Sequence, residues 1–202
     1  MMVKVCGITN LEDALAAAQE GVSALGFVFY PRSPRYITPE AAARIVERVP
    51  AGIWRVGVFV NETPEAVRSV ARSCGLDVAQ LHGDETPGDV PGGVRAWKAF
   101  RASGRLDSEV FRGFEVEAFV LDAAAAGDYG GAGRTFSWHL AYGLKQKIVL
   151  AGGLDASNVR EAIRQARPWG VDASSRLESS PGKKDHEKMR AFIRAARTET
   201  ES

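Results

Sequence analysis

Cysteine is scarce in this chain, which has two, Cys6 and Cys74, among 202 residues. They lie far apart and outside any CxxC or zinc-type spacing, so neither a disulfide framework nor a metal site has support. Long apolar runs are missing as well. No stretch approaches the roughly 18 consecutive apolar residues that a membrane helix needs. The start places Lys4 inside the short apolar run MVKVC and lacks the pattern of a secretory signal, so a cytoplasmic protein with no membrane partner is expected. Neither sign of charge is in excess: 26 Lys and Arg against 25 Asp and Glu leave a net charge of +1. The signs are interspersed, which excludes the electrostatic footprint of a nucleic-acid binder. A few placed cations could still serve a small acidic ligand. Hydrophobic residues at 45% and charged residues at 25% exclude disordered and collagen-like classes.

What is present is a rhythm. Strand-like runs, MVKVC, ALGFVF, WRVGVFV, DVAQL, VRAWKAF, EAFVLD, KIVLAG and GVDASS, alternate with stretches of helical period such as LEDALAAAQEG, TPEAAARIVERV and TPEAVRSVARSCG. Asn10, Thr38-Pro39 and Thr63-Pro64 read as helix starts, and Gly21 and Gly75 as helix ends. Cys74 then reads as a half-buried residue at a helix end. The fourth helix, in ETPGDVPGG, can be no more than a turn, and the fifth, in LDSEVFRGF, is poorly marked. Apolar strands with helical crossovers indicate a parallel sheet, and eight such units fit a single (β/α)8 barrel over residues 1–202. An open flavodoxin-like sheet would need fewer units.

In such a barrel the active site lies at the C-terminal ends of the strands. That filter selects Cys6, the YPRSPR loop, Asn61, His82, Asp122, the glycines of AGGL and the serines of VDASSR. Gly152 and Gly153 after strand seven and Ser174 and Ser175 after strand eight are placed to hold a phosphate through backbone N–H groups. Gly131, in YGGAG, could add another amide, so a phosphorylated small molecule is the expected ligand. Cys6 is either a core thiol or a thiolate base, the latter needing a pKa lowered from about 8.5. Asp122 is either a helix N-cap or a proton donor. Arg35 follows an X-Pro turn that can aim its guanidinium at a carboxylate, with Arg32 the solvent-facing member of the pair. His82 could bond a substrate oxygen or close the strand end. His139 and His186 fall in predicted helices, in surface or packing roles. Lys4 and Lys98 fall in strands, where pairing with an acid is favoured over Schiff-base chemistry.

Together KVCGITNLEDA, GFVFYPRSPRYI, VGVFVNE, QLHGDE, VLDA, GGAGRTFSW, LAGGLDASNV and VDASSRLESSPGKKD resemble the phosphoribosylanthranilate isomerase family of tryptophan biosynthesis. The similarity runs from the first strand to the last helix. The resemblance implies a cofactor-free, metal-free Amadori rearrangement of N-(5-phosphoribosyl)anthranilate to 1-(2-carboxyphenylamino)-1-deoxyribulose 5-phosphate. It further implies Cys6 as general base, Asp122 as general acid and Arg35 as the partner of the anthranilate carboxylate. Monomer and homodimer both stay open. One departure stands out: Arg176 occupies a position where the family commonly has glycine, awkward if the residue needs positive φ, useful if its side chain adds a cation.

Three rivals remain. The related isomerase of histidine synthesis pairs two aspartates, and Cys6 stands where one would be. Indole-glycerol-phosphate synthase relies on a lysine and glutamates that have no evident counterpart here. A non-catalytic barrel would be free to lose Cys6, Asp122 or Arg35.

Overall fold

The computed structural model describes residues 1–101, 108–122 and 138–198. Gly131 and the rest of the YGGAG segment lie outside the described residues. Eight parallel strands close into a barrel in sequence order: β1 (Met2–Cys6), β2 (Ala24–Val28), β3 (Trp54–Phe59), β4 (Val78–Leu81), β5 (Arg95–Arg101), β6 (Ala118–Asp122), β7 (Ile148–Ala151) and β8 (Gly170–Ala173). Each falls on one of the strand-like runs. Closure is made by β1 against β8, with Lys4 opposite Asp172.

Helices cover the barrel where the sequence supplies start and stop signals. Helix α1 (Leu11–Gln19) is capped by the Asn10 side chain, which accepts from the Asp13 amide. Helices α2 (Pro39–Val46) and α3 (Pro64–Cys74) begin with a threonine cap followed by proline, and α3 ends at Gly75 in the left-handed conformation, φ 64°. Cys74 is fully buried there rather than half-buried, with its thiol bonded to the Pro39 carbonyl at 3.2 Å. The fourth crossover is one 3₁₀ turn over Pro87–Asp89, and the described part of the fifth is another over Ser108–Phe111. FSWHLAYGL, expected to be helical, shows only a 3₁₀ turn over Trp138–Ala141 in its described part. Helices α4 (Val159–Ala166) and α5 (His186–Thr198) complete the ring. Among the described residues no helix is long and apolar enough to cross a membrane.

The sequence reading did not foresee a small antiparallel hairpin between β8 and α5. Strands β9 (Glu178–Ser180) and β10 (Lys183–Lys184) turn at Pro181 and Gly182. It folds over the mouth of the barrel and carries two residues of the site.

Alternation sorts each strand into two faces. Outward residues such as Val3, Val5, Leu25, Phe27, Leu121 and Leu150 join the helices in one apolar layer. Inward residues Met2, Ala24, Val56, Val78, Trp97, Val120 and Val149 form a separate plug inside the barrel. Trp54, Trp97 and Trp169 pack tilted or edge-to-face with centroids 5.8–6.0 Å apart at its N-terminal end. Going up the barrel the inward positions turn polar, to Lys4, Gln80 and Asp172 and then Cys6, His82 and Asp122. The interior therefore runs from a dry base to a charged mouth.

Candidate active site

Cys6 ends β1 facing the mouth and is only 8% exposed. Room for its thiol comes from Gly26, its register partner on β2, where an added Cβ would lie 2.6 Å from Sγ. One inward position below, Lys4 is fully buried and bonds Asp172 Oδ2 at 2.6 Å. Burial opposes charge on Lys4, but Asp172 and the adjacent Cys6 outweigh it and hold its pKa above the ordinary lysine value. Burial and the Asp172 charge push the Cys6 thiol up, against the lowering pull of Lys4 and Lys184. The free site thus keeps Cys6 mainly as a thiol, with two cations close by to receive a thiolate.

Asp122 ends β6 at 6% exposure, and its Oδ2 lies 3.2 Å from His82 Nε2. His82, just beyond β4, also meets Gln80 through Nδ1 at 3.2 Å. His82 thus meets the acid candidate, a contact that neither of its two readings, a substrate bond or closure of the strand end, includes. Asp172 ties the two halves together: it pairs with Lys4 beneath Cys6, and its own pKa is raised by burial and by the charge of Asp122. Cys6 and Asp122 share one mouth, facing a common carboxylate.

Arg35 sits beside them, its side chain 15% exposed, while Arg32 is exposed. The turn aims the guanidinium at a carboxylate as anticipated, but the carboxylate is the protein's own Glu178, which accepts from Nε and Nη2 at 2.8 Å each. Lys184 adds a third bond to Glu178 at 3.0 Å. Burial would raise the Glu178 pKa, yet the bonds from Arg35 and the charge of Lys184 hold it below the usual glutamate value. Arg35 packs over Gly7, where φ is 78° and an added Cβ would lie 2.7 Å from Arg35 Cδ, so a side chain has no space.

The loops after β7 and β8 carry the residues expected to meet a phosphate. Gly152 and Gly153 are both left-handed, at φ 86° and 68°. Asn158 locks that loop, donating to the Gly153 carbonyl at 2.8 Å and accepting from the Asp155 amide at 3.0 Å. Ser174 donates its hydroxyl to the Cys6 carbonyl at 3.0 Å, so that proton is already engaged within the protein. Ser175 opens the 3₁₀ turn Ser175–Leu177. Arg176 needs no positive φ, since Asn61 and Arg167 are the non-glycine residues in that region among those described. Its Nη1 instead bonds Asp155 Oδ2 at 2.9 Å, joining the two loops.

Comparison with known proteins decides the family. A model of N-(5'-phosphoribosyl)anthranilate (PRA) isomerase matches residues 3–195. The chain belongs to the phosphoribosylanthranilate isomerase family. The N-(5'-phosphoribosyl)anthranilate isomerase of Solibacter usitatus is 54% identical over 197 residues, covering 98% of each chain. The crystal structure of phosphoribosyl anthranilate isomerase from Thermotoga maritima superposes with a TM-score of 0.90 at 43% identity, covering 98% of this chain and 99% of that one. A phosphoribosyl anthranilate isomerase in complex with reduced 1-(o-carboxyphenylamino)-1-deoxyribulose 5-phosphate gives a TM-score of 0.84 at 42% identity, with the same coverage.

Against this family background, the residues that sequence reasoning missed are Asp172, Gln80, Glu178 and Lys184. Asp172 and Gln80 could have been found from alternation, since each is an inward polar position within a strand. The Pro-Gly pair flanked by charges was a hairpin signal, but nothing local says that the hairpin reaches Arg35. Lys4 and Lys98 are paired with acids as favoured, Lys98 with Glu85 at 2.7 Å on the outer face. His186 bonds Asp13 at 2.8 Å and so links α5 to α1.

Proposed function

We propose that this barrel, acting as one unit in the cytoplasm, converts N-(5-phosphoribosyl)anthranilate to 1-(2-carboxyphenylamino)-1-deoxyribulose 5-phosphate, with Asp122 as general acid and Cys6 as general base. The observation that carries the reading is the meeting of Cys6, Asp122 and Asp172 in one mouth, with an arginine held beside them.

The chemistry follows in order. Asp122 gives its proton to the ribose ring oxygen as the C1–O bond breaks and the anthranilate nitrogen pushes its lone pair in, leaving a cationic imine. Cys6, as thiolate, removes the C2 proton; the C–H electrons form the C1–C2 double bond and neutralise the imine to an enolamine. Tautomerisation to the ketone completes the isomerisation. The cation makes the C2 proton acidic and favours a thiolate next to it, so a modest base is enough. Lys4 and Lys184 supply positive charge to the same sulfur. The exposed part of the Arg35 guanidinium meets the anthranilate carboxylate. The Gly152-Gly153 and Ser174-Ser175 loops, bridged by Arg176, receive the phosphate.

The test is loss of anthranilate fluorescence when the purified chain is mixed with the substrate. Turnover is expected, falling by about 100-fold to 10,000-fold in both Cys6→Ala and Asp122→Asn. Unchanged rates in both variants would reject the mechanism, and a wild-type chain without turnover would reject the reaction.

A further inference from the structure

Gln80 is 1% exposed and points into the barrel from β4, yet its register neighbours on the two flanking strands are Val58 and Trp97. An apolar residue would pack there without penalty. The amide instead places Nε2 3.2 Å from His82 Nδ1, while its Oε1 is buried with no partner among the described residues. A buried acceptor left without a bond costs free energy, so what the amide contributes here comes from its nitrogen.

An amide nitrogen can only donate, so the Nδ1 that faces it must be the unprotonated nitrogen of the ring. The imidazole then carries its hydrogen on Nε2, the nitrogen 3.2 Å from Asp122 Oδ2. A second ring proton would set Nδ1–H against the amide N–H in a buried space. We infer that Gln80 is a positioning residue that keeps His82 neutral in the Nε2–H tautomer, so that the additional proton of the His82–Asp122 pair resides on Asp122. The inference rests on the assignment of Asp122 as the acid. Donation to the ring oxygen leaves a carboxylate facing Nε2–H, and the next proton returns to the same carboxyl.

The charges facing this pair come from several strands. Asp172 on β8 interacts with both Asp122 and His82, and Lys4 on β1 is bonded to Asp172. Cys6 shares the influence of that ion pair. Arg101 on β5 is the register partner of Asp122, and Lys98 on the same strand is committed to Glu85 and the Gly83 carbonyl.

Nitrogen-15 NMR of the wild-type protein at neutral pH reads the ring directly. The chain has three histidines, so loss of one ring signal in His82→Asn assigns the residue. Protonated Nε2 and unprotonated Nδ1 are expected; an imidazolium or an Nδ1–H tautomer overturns the inference. Gln80→Glu turns the donor into an acceptor. His82 should then be protonated on both nitrogens at neutral pH, and kcat should fall about 10-fold or more with KM within about 2-fold. Gln80→Met, of similar volume, should leave the fold intact and change the His82 ring signals less than Gln80→Glu does. Unaltered His82 signals and an unaltered pH profile of kcat in Gln80→Glu also overturn it. A wild-type chain that does not turn over the substrate would defeat the proposed reaction, while the ring signals still decide the role of Gln80.

Discussion

Glu178 grips Arg35 through two parallel hydrogen bonds of 2.8 Å, and so sets the plane in which the guanidinium meets anything else in the mouth. A bidentate pair of this kind fixes orientation as well as charge, and it leaves the other guanidinium N–H groups available. Lys184 bonds the same carboxylate, so two cations share its one negative charge.

Loss of that grip should appear first in binding. In Glu178→Gln the fork loses its ionic partner and Arg35 samples other rotamers, so KM should rise about 10-fold with a smaller change in kcat. Steady-state kinetics separate the two. An unchanged KM would show that Arg35 is oriented by something else.

The same residue makes stability depend on acid. Its folded pKa lies below the ordinary glutamate value, so its contribution is present above that ordinary value and is lost as pH falls through the folded one. Glu178→Gln should cost on the order of 3 kcal/mol at neutral pH, because two cations are left around an uncharged amide. Denaturant titrations of wild type and variant should converge as the pH drops below the glutamate range. A gap independent of pH would contradict the ionised pair.

Cys6 titrates in the opposite sense. Burial and Asp172 raise its pKa, so folding favours the thiol. That contribution is full below the unfolded thiol pKa, about 8.5, and is lost as pH rises through the folded one. The difference in thiolate absorbance between wild type and Cys6→Ala should rise on the alkaline side of an ordinary thiol. The ascending limb of kcat/KM should follow it. A free-enzyme limb near neutral pH would mean that another group is the base.

Gly26 lacks a side chain for the sake of the thiol. A Cβ there would lie 2.6 Å from Sγ and 3.0 Å from the Cys6 Cα, so Gly26→Ala must push Cys6 off its position. Overpacking of this size costs about 1–3 kcal/mol, and kcat should fall by about 100-fold through misplacement of the base. Circular dichroism and turnover measured together distinguish a displaced thiol from a lost fold.

Arg176 carries an exposed bridge, its side chain 43% exposed against Asp155. Arg176→Gly should therefore change stability by about 1 kcal/mol or less. If the cation also serves the phosphate, KM should rise and its salt dependence should weaken. Identical KM values at low and high salt would confine Arg176 to joining the loops.

The strand runs were legible because alternation and β-branched composition are local, and the helix ends because threonine caps, first-turn prolines and Gly75 act within a few residues. The rule that barrel chemistry gathers at strand ends then marked Cys6, His82 and Asp122 without any contact information. The hairpin escaped notice since three residues against two make too short a pattern to separate from a loop. Ser174 illustrates a different limit: nothing near it along the chain says that its hydroxyl donates to the Cys6 carbonyl, a partner from the other end of the chain.

By itself, then, the order of residues determined the eight-stranded rhythm, the apolar base of the barrel and the short set of polar groups at its mouth, all of which depend on neighbours along the chain. The tertiary structure alone decided who meets whom: Lys4 with Asp172 across 168 positions, and Arg35 with Glu178 across 143. Such pairs arise only when β8 closes against β1 and brings the last hairpin over the first strand. The charges that tune the thiol, and the carboxylate that orients the arginine, are products of closure.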